Sequence, residues 1–164
     1  RSVMSRSSQA WVAYAAGEAY VGRGASDRAI GEFGRAIDLG ASVDNPFVTS
    51  VARSALAAEL ARSGSTRAAY EAYRSGLGSA LRHGNLVHAT TMVRNLVALL
   101  HADGDQRSAV VLATATGPNP LLDEIESATW PDRFGSWVAE GEALDLDATV
   151  RRAIAIVESH LGRH

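Results

Sequence analysis

Three hexapeptides stand forty residues apart in this chain: Gly24-Ala-Ser-Asp-Arg-Ala29, Gly64-Ser-Thr-Arg-Ala-Ala69 and Gly104-Asp-Gln-Arg-Ser-Ala109. The same spacing aligns apolar or small residues on both sides of each hexapeptide. These aligned sets are Ala16, Leu56 and Leu96, then Tyr20, Leu60 and Leu100, then Phe33, Tyr73 and Ala113. A period near forty with apolar residues at fixed offsets is typical of stacked helix pairs. The repeat therefore predicts an all-α solenoid of three helix pairs.

Glycine, proline and capping residues divide the repeats into six helices. The predicted helices begin at or near Ser8, Ser26 or Asp27, Pro46, Thr66, Asn85 and Asp105. The fifth helix has the most apolar sequence, from Met92 to Leu100, and we expect it to be the central helix of the core. We expect eight or nine helices in all and no sheet.

The repeat pattern ends at Gly117, Pro118 and Pro120, because proline cannot continue a helix. A further helix is expected from Pro131, and a last one from Asp145 or Asp147. The outer face of a terminal repeat needs a cover. We therefore predict helical repeats over residues 1–117 and a C-terminal helical cap over residues 118–164, in one folding unit.

Composition excludes several classes of protein. The chain has 164 residues, a net charge of −2 and a pI near 6.2, whereas nucleic-acid binding needs clustered positive charge. No apolar run approaches the roughly 20 residues of a membrane-spanning helix. We therefore expect no nucleic-acid or membrane partner and a cytoplasmic location. Because the chain begins with Arg1, we also expect it to be a piece of a longer polypeptide.

No catalytic motif is present in the sequence. All sixteen basic residues are arginine, which removes lysine chemistry, and there is no cysteine. The Gly-x-Ser-x-Gly elbow, the phosphate-binding loop and the dinucleotide fingerprint are missing. The five histidines offer one His-x-x-x-His pair, His160 and His164, and Gly162 between them disfavours the helix that such a metal site needs. We therefore predict no enzymatic activity, no cofactor and no metal site.

The first repeat contains Ala16-Gly17-x-x-Tyr20, then Gly24, then Ala29-x-x-x-Phe33 and Ala36. This series resembles the tetratricopeptide (TPR) consensus, and the second and third repeats keep parts of it. The resemblance implies that small residues at Gly17 and Ala29 let paired helices approach closely. The period of forty exceeds the usual 34 residues, so longer helices or turns are expected.

The stretch from Trp137 to Val150, with Glu140-Gly-Glu followed by Ala143-Leu-Asp-Leu-Asp, gives a second resemblance. It is similar to the end of the helical-repeat region in large actinobacterial signalling regulators. These include LuxR-type and antibiotic-regulator-type transcription factors, STAND-type ATPases and adenylate-cyclase fusions. The resemblance implies a non-enzymatic protein–protein interaction or sensor module of a bacterial signalling or transcriptional regulatory protein.

In a TPR array, the exposed faces of the first helices of each pair line a groove that binds a partner. The candidate groove residues are Trp11, Tyr14, Glu18, Ser54, Arg62, Thr91, Arg94 and His101. The expected partner is a protein or another domain of the parent polypeptide. Alternatively, Trp11 and Tyr14 only cover the N-terminal end of the array.

Two other functions remain open from the sequence. One is a small-molecule effector site between the array and the cap, lined by Trp130, Phe134 and Trp137. The other is homodimerisation through an exposed face of a repeat. Neither of them requires a cofactor.

Overall fold

A computed structural model describes residues 4–163 of the chain. In this part of the chain there are nine α-helices and no strand. They are α1 (Arg6–Val21), α2 (Ser26–Ala41), α3 (Pro46–Arg62), α4 (Thr66–Arg82), α5 (Leu86–Ala102), α6 (Gln106–Thr116), α7 (Leu121–Ser127), α8 (Pro131–Glu142) and α9 (Leu146–Leu161). The prediction of an all-α fold is confirmed.

The turns between the first six helices recur every twenty residues, which is half the predicted period. Each turn has one residue with a positive φ: Gly24 (69°), Asp44 (50°), Gly64 (80°), Gly84 (66°) and Gly104 (83°). Glycine adopts this left-handed conformation without a steric penalty, and aspartate tolerates it better than most residues do. The structural unit is therefore one helix with one turn. Glycine marks this spacing from Gly64 to Gly104, and Asp44 interrupts the glycine pattern between Gly24 and Gly64.

Each of these turns ends one helix and starts the next. In the first turn, the N–H of Ala25 donates to the carbonyl of Tyr20 (3.0 Å), and the N–H of Gly24 donates to that of Val21 (3.0 Å). This pair of bonds defines a Schellman motif. The carbonyl of Ala25 then accepts the N–H of Ala29 (3.0 Å), the first bond of α2. The same bonds recur at Asp44, Gly64, Gly84 and Gly104, so the alanine of each hexapeptide lies one turn inside its helix.

Side-chain caps fix several of the predicted helix starts. Asn45, Asp105 and Asp145 each accept a hydrogen bond from the backbone N–H three residues later. Pro46 occupies the first turn of α3, as predicted. Asn85 precedes α5 but makes no such bond. These contacts are local, which explains why the sequence located the helix starts.

The chain divides into two compact units between Ala72 and Tyr73, inside α4. In the N-terminal unit (described residues 4–72), α2 packs against both α1 and α3. A Cβ atom on Gly17 would overlap the ring of Phe33, and one on Gly40 would lie 2.6 Å from Oγ1 of Thr49. Two glycines therefore allow the close packing of α2 with its neighbours.

In the C-terminal unit (described residues 73–163), α6 packs against α5, α7, α8 and α9, and α5 also packs against α9. Its fully buried side chains include Val93, Leu96, Val97, Leu100, Val110, Leu112, Val150, Ala153 and Val157. A Cβ atom on Gly141 of α8 would lie 2.5 Å from the carbonyl oxygen of Val111. The helices after the prolines therefore pack on α5 and α6.

Several apolar residues of the repeats are not fully buried, among them Tyr20 of α1, which is partly buried. Leu56 and Leu60 of α3 are only partly buried, whereas Ala57 and Glu59 are buried. In α9, Leu146 is 39% exposed because the buried face runs through Val150, Ala153, Val157 and His160 instead. The α-solenoid of three helix pairs with a C-terminal cap, and the division at residues 117 and 118, stay predictions.

Candidate functional site

Three aromatic side chains form a cluster on the N-terminal unit. Trp11 and Tyr14 lie on α1, and Phe47 lies in the first turn of α3. The ring centroids of Trp11 and Tyr14 are 5.9 Å apart with planes at 87°, and those of Trp11 and Phe47 are 5.7 Å apart with planes at 44°. These distances are typical of favourable aromatic pairs. We call Trp11, Tyr14 and Phe47 the aromatic cluster.

The aromatic cluster packs on the core on one side and is exposed to solvent on the other. Tyr14 packs on the fully buried ring of Phe33, with centroids 5.9 Å apart. Trp11 is 38% exposed and Phe47 57% exposed. Rings that already pack on one another lose little side-chain freedom on binding, so their exposed faces suit the anchoring of a partner.

Polar groups border the aromatic cluster on two sides. Burial raises the pKa of Tyr14, and the negative charge of Glu18 and a hydrogen bond to it raise that pKa further. The phenol is therefore a neutral donor at neutral pH. On the other side, the Asn45 side-chain amide donates to the hydroxyl of Ser7 (2.9 Å), which ties the start of α3 to α1.

The predicted groove residues on α3 do not extend this surface. Ser54 is buried, with 7% of its surface exposed. Arg62 forms an ion pair with Glu59, whose side chain is 2% exposed. Within the described part of the chain, the second carboxylate oxygen of Glu59 has no hydrogen-bond partner. Arg62 therefore neutralises a buried charge.

The predicted groove residues of the third pair contact the chain itself. Arg94 donates to the carbonyl of Pro118 (3.2 Å), and His101 Nε2 lies 3.3 Å from a carboxylate oxygen of Glu124. Thr91 is exposed, and its hydroxyl bonds to the carbonyl one turn earlier. In the C-terminal unit, the segment leading into α7 thus lies beside the predicted groove face of α5.

Of the eight predicted groove residues, the structure brings together Trp11, Tyr14 and Glu18. Sequence reasoning missed Phe47, which belongs to the same surface. The available signal was a large aromatic residue directly after Pro46, in the first turn of a helix whose core face begins one residue later at Val48.

The residues of the predicted effector site differ in exposure. Trp130 is 78% exposed, Phe134 is buried at 9% exposure, and Trp137 is partly buried. The guanidinium of Arg133 lies over the Trp137 ring, 5.8 Å from its centroid, which is a cation–π contact. These positions do not add support for a shared pocket.

A second polar site lies in the C-terminal unit. Nδ1 of His160 is 3.0 Å from Oδ2 of Asp103, and its Nε2 is 2.9 Å from Oδ2 of Asp105. The histidine is 3% exposed. These residues, together with Gly104 and Arg163, line a shallow depression. We call Asp103, Asp105 and His160 the carboxylate–histidine cluster.

The electrostatics of Asp105 show how the carboxylate–histidine cluster is stabilised. Burial alone would raise the pKa of Asp105, but hydrogen bonds from His160 and from Ser108 lower it, and the net shift is downward. Sequence reasoning missed the cluster because His160 and Asp105 are 55 residues apart. Among residues 4–163, no group of three or more His, Cys, Asp or Glu side chains has the geometry to hold a metal ion.

Comparison with protein-family models, with curated proteins and with solved structures finds no match for this chain. Across the nine helices that the structure describes, none combines the length and the apolar character that crossing a bilayer requires. The aromatic cluster and the carboxylate–histidine cluster are therefore interpreted from their own chemistry.

Proposed function

We propose that this chain is a non-enzymatic protein–protein interaction module of a bacterial signalling or transcriptional regulatory protein, and that it binds its partner through the aromatic cluster. The observation that carries the proposal is the packing of Trp11 on Tyr14 and Phe47 while Trp11 and Phe47 remain substantially exposed. Tryptophan and tyrosine are enriched among the residues that contribute most to binding energy. Support for the regulatory context comes from the resemblance of residues 137–150.

The chemistry of the surface suits a partner segment with an apolar anchor. Trp11 and Phe47 supply most of the accessible apolar area of this surface. Glu18 and the phenol of Tyr14 supply polar groups at the edge. An aliphatic or aromatic side chain of the partner would pack on the rings, and a donor group beside it would bond Glu18.

Selection of displayed peptides on the purified chain, followed by calorimetric titration, tests the proposal. We expect selected peptides to contain an apolar anchor and to lose at least about tenfold in affinity for Trp11→Ala and for Phe47→Ala. Trp130→Ala is the matched control, because it also removes an exposed tryptophan. Its affinity should stay within about twofold of the wild type.

Equal affinity of the wild type and both cluster variants for every selected peptide would contradict the proposal. Light scattering on the wild type and on Trp11→Ala tests the homodimer alternative. A dimer that Trp11→Ala converts to a monomer would identify a second copy of the chain as the partner.

A further inference from the structure

The carboxylate–histidine cluster joins three points of the C-terminal unit. Asp103 is the C-cap residue of α5, Asp105 is the N-cap residue of α6, and His160 lies in the last turn of α9. The cluster therefore ties the end of the last helix to the turn between α5 and α6. The rest of the buried face of α9 consists of Thr149, Val150, Ala153 and Val157.

The protonation state of His160 decides how many of these contacts are favourable. A neutral imidazole carries one N–H and one bare nitrogen, whereas the imidazolium donates from both nitrogens. Each nitrogen of His160 faces a carboxylate oxygen, at 3.0 Å for Asp103 and 2.9 Å for Asp105. Only the imidazolium satisfies both carboxylates. In the neutral ring, a nitrogen lone pair points at a negative oxygen.

Charged groups face His160 from the helices that pack against α9 and from the segment just beyond it. α5 and α6 present Asp103 and Asp105, and Arg163 just beyond α9 lines the same depression. The nearest ion pair between α9 and α8, Arg152 with Glu140, lies eight residues earlier in α9, which is about 12 Å along a helix. Asp103 and Asp105 therefore place two carboxylates beside His160, and the carboxyl end of α9 also favours a cation there.

We propose that the carboxylate–histidine cluster is a proton-operated latch: protonated His160 holds the last turn of α9 on the α5–α6 turn, and neutral His160 loosens it. Histidine is the side chain that ordinarily changes charge between pH 5 and 8. The latch is therefore closed while both ring nitrogens carry protons, and it opens when a rise in pH removes one of them. The latch does not involve the aromatic cluster, so its test is independent of the test of the proposed function.

Hydrogen exchange on the full chain tests the latch. We compare protection factors, which remove the intrinsic pH dependence of exchange, for the amides of Val157–Leu161 at pH 5.5 and pH 8.5. Losing one charge-assisted hydrogen bond predicts a decrease of roughly tenfold or more at the higher pH. Asp103→Asn, which keeps the shape but removes the charge, should reduce this pH dependence. His160→Gln should abolish it.

His83→Gln is the matched control, because His83, one residue beyond α4, bonds the carbonyl of Ser79 in that helix (2.8 Å) and is not part of the carboxylate–histidine cluster. It should leave the pH dependence of the α9 amides unchanged. Nitrogen-detected spectra of the wild-type histidine rings measure the protonation state of His160 directly and need no variant. At pH 5.5 His160 should show two protonated ring nitrogens.

Two results would overturn the latch. One is a neutral His160 ring at pH 5.5. The other is a wild-type pH dependence of protection that His160→Gln reproduces. If His160→Gln fails to fold, the ring spectra together with the wild-type and Asp103→Asn exchange data still decide the question.

Discussion

Removal of the Arg62 guanidinium is expected to destabilise the chain far more than removal of an exposed arginine. Glu59 is 2% exposed, and Arg62 supplies its ion pair. The second oxygen of Glu59 already lacks a hydrogen-bond partner in the described structure. In Arg62→Ala the carboxylate would be buried without compensation. Breaking fully buried pairs costs about 3–5 kcal/mol. Because Arg62 is 51% exposed, water screens the pair and we expect about 2 kcal/mol.

Urea denaturation followed by circular dichroism measures this change in the free energy of unfolding. The matched control is Arg67→Ala, because Arg67 pairs with Glu71 and both side chains are about half exposed (57% and 49%). That variant should lose no more than about 0.5 kcal/mol. The double variant Glu59→Gln with Arg62→Ala should recover at least half of the loss, since no unpaired charge is buried. The reasoning is refuted if Arg62→Ala and Arg67→Ala lose the same free energy.

Three further predictions concern packing and pH. Gly17→Ala should destabilise the chain by about 1–3 kcal/mol because its Cβ overlaps the Phe33 ring. Gly31→Ala, with open space around it, should stabilise the chain by up to about 1 kcal/mol. Equal melting temperatures of the two variants would contradict this. Leu96→Ala should cost about 2–5 kcal/mol by urea titration because the side chain is fully buried, and a loss below about 0.5 kcal/mol would show that α5 is not central. The pKa of Asp105 is lowered in the folded chain, so this residue contributes its full stabilisation above the ordinary pKa of 3.8 and loses it as the pH falls through the lower folded value. In Asp105→Asn, the free energy of unfolding should therefore fall less steeply between pH 5 and 2 than in the wild type. The same dependence in both proteins would contradict this prediction.

The helices were predictable because their boundaries are local. The turn glycines, the Asn45 and Asp145 caps and Pro46 act within a few residues of each helix end. The period of twenty is visible in Gly64, Gly84 and Gly104, but its continuation to Gly24 is not, because Asp44 adopts the conformation that glycine adopts in the other turns. A short polar side chain tolerates that conformation, and a search for glycines misses it.

The aromatic cluster and the carboxylate–histidine cluster were less predictable because they depend on tertiary packing. Trp11 and Tyr14 share one helix, so their proximity could be inferred, but the contact with Phe47 requires α3 to pack near α1. The pairing of His160 with Asp103 and Asp105 requires α9 to lie on the α5–α6 turn. Arg62 was assigned to the groove because no local pattern shows that Glu59 is buried.

The proposal that the aromatic cluster is the binding surface is tested most directly by the signals of the tryptophan side chains. The chain has three tryptophans, so a single proton–nitrogen spectrum reports separate indole signals from Trp11, Trp130 and Trp137. Titration with a selected peptide should shift the Trp11 indole signal with the same dissociation constant that calorimetry gives, and leave the Trp130 signal in place. A bound peptide that shifts Trp130 or Trp137 while the Trp11 signal stays unchanged would contradict the account.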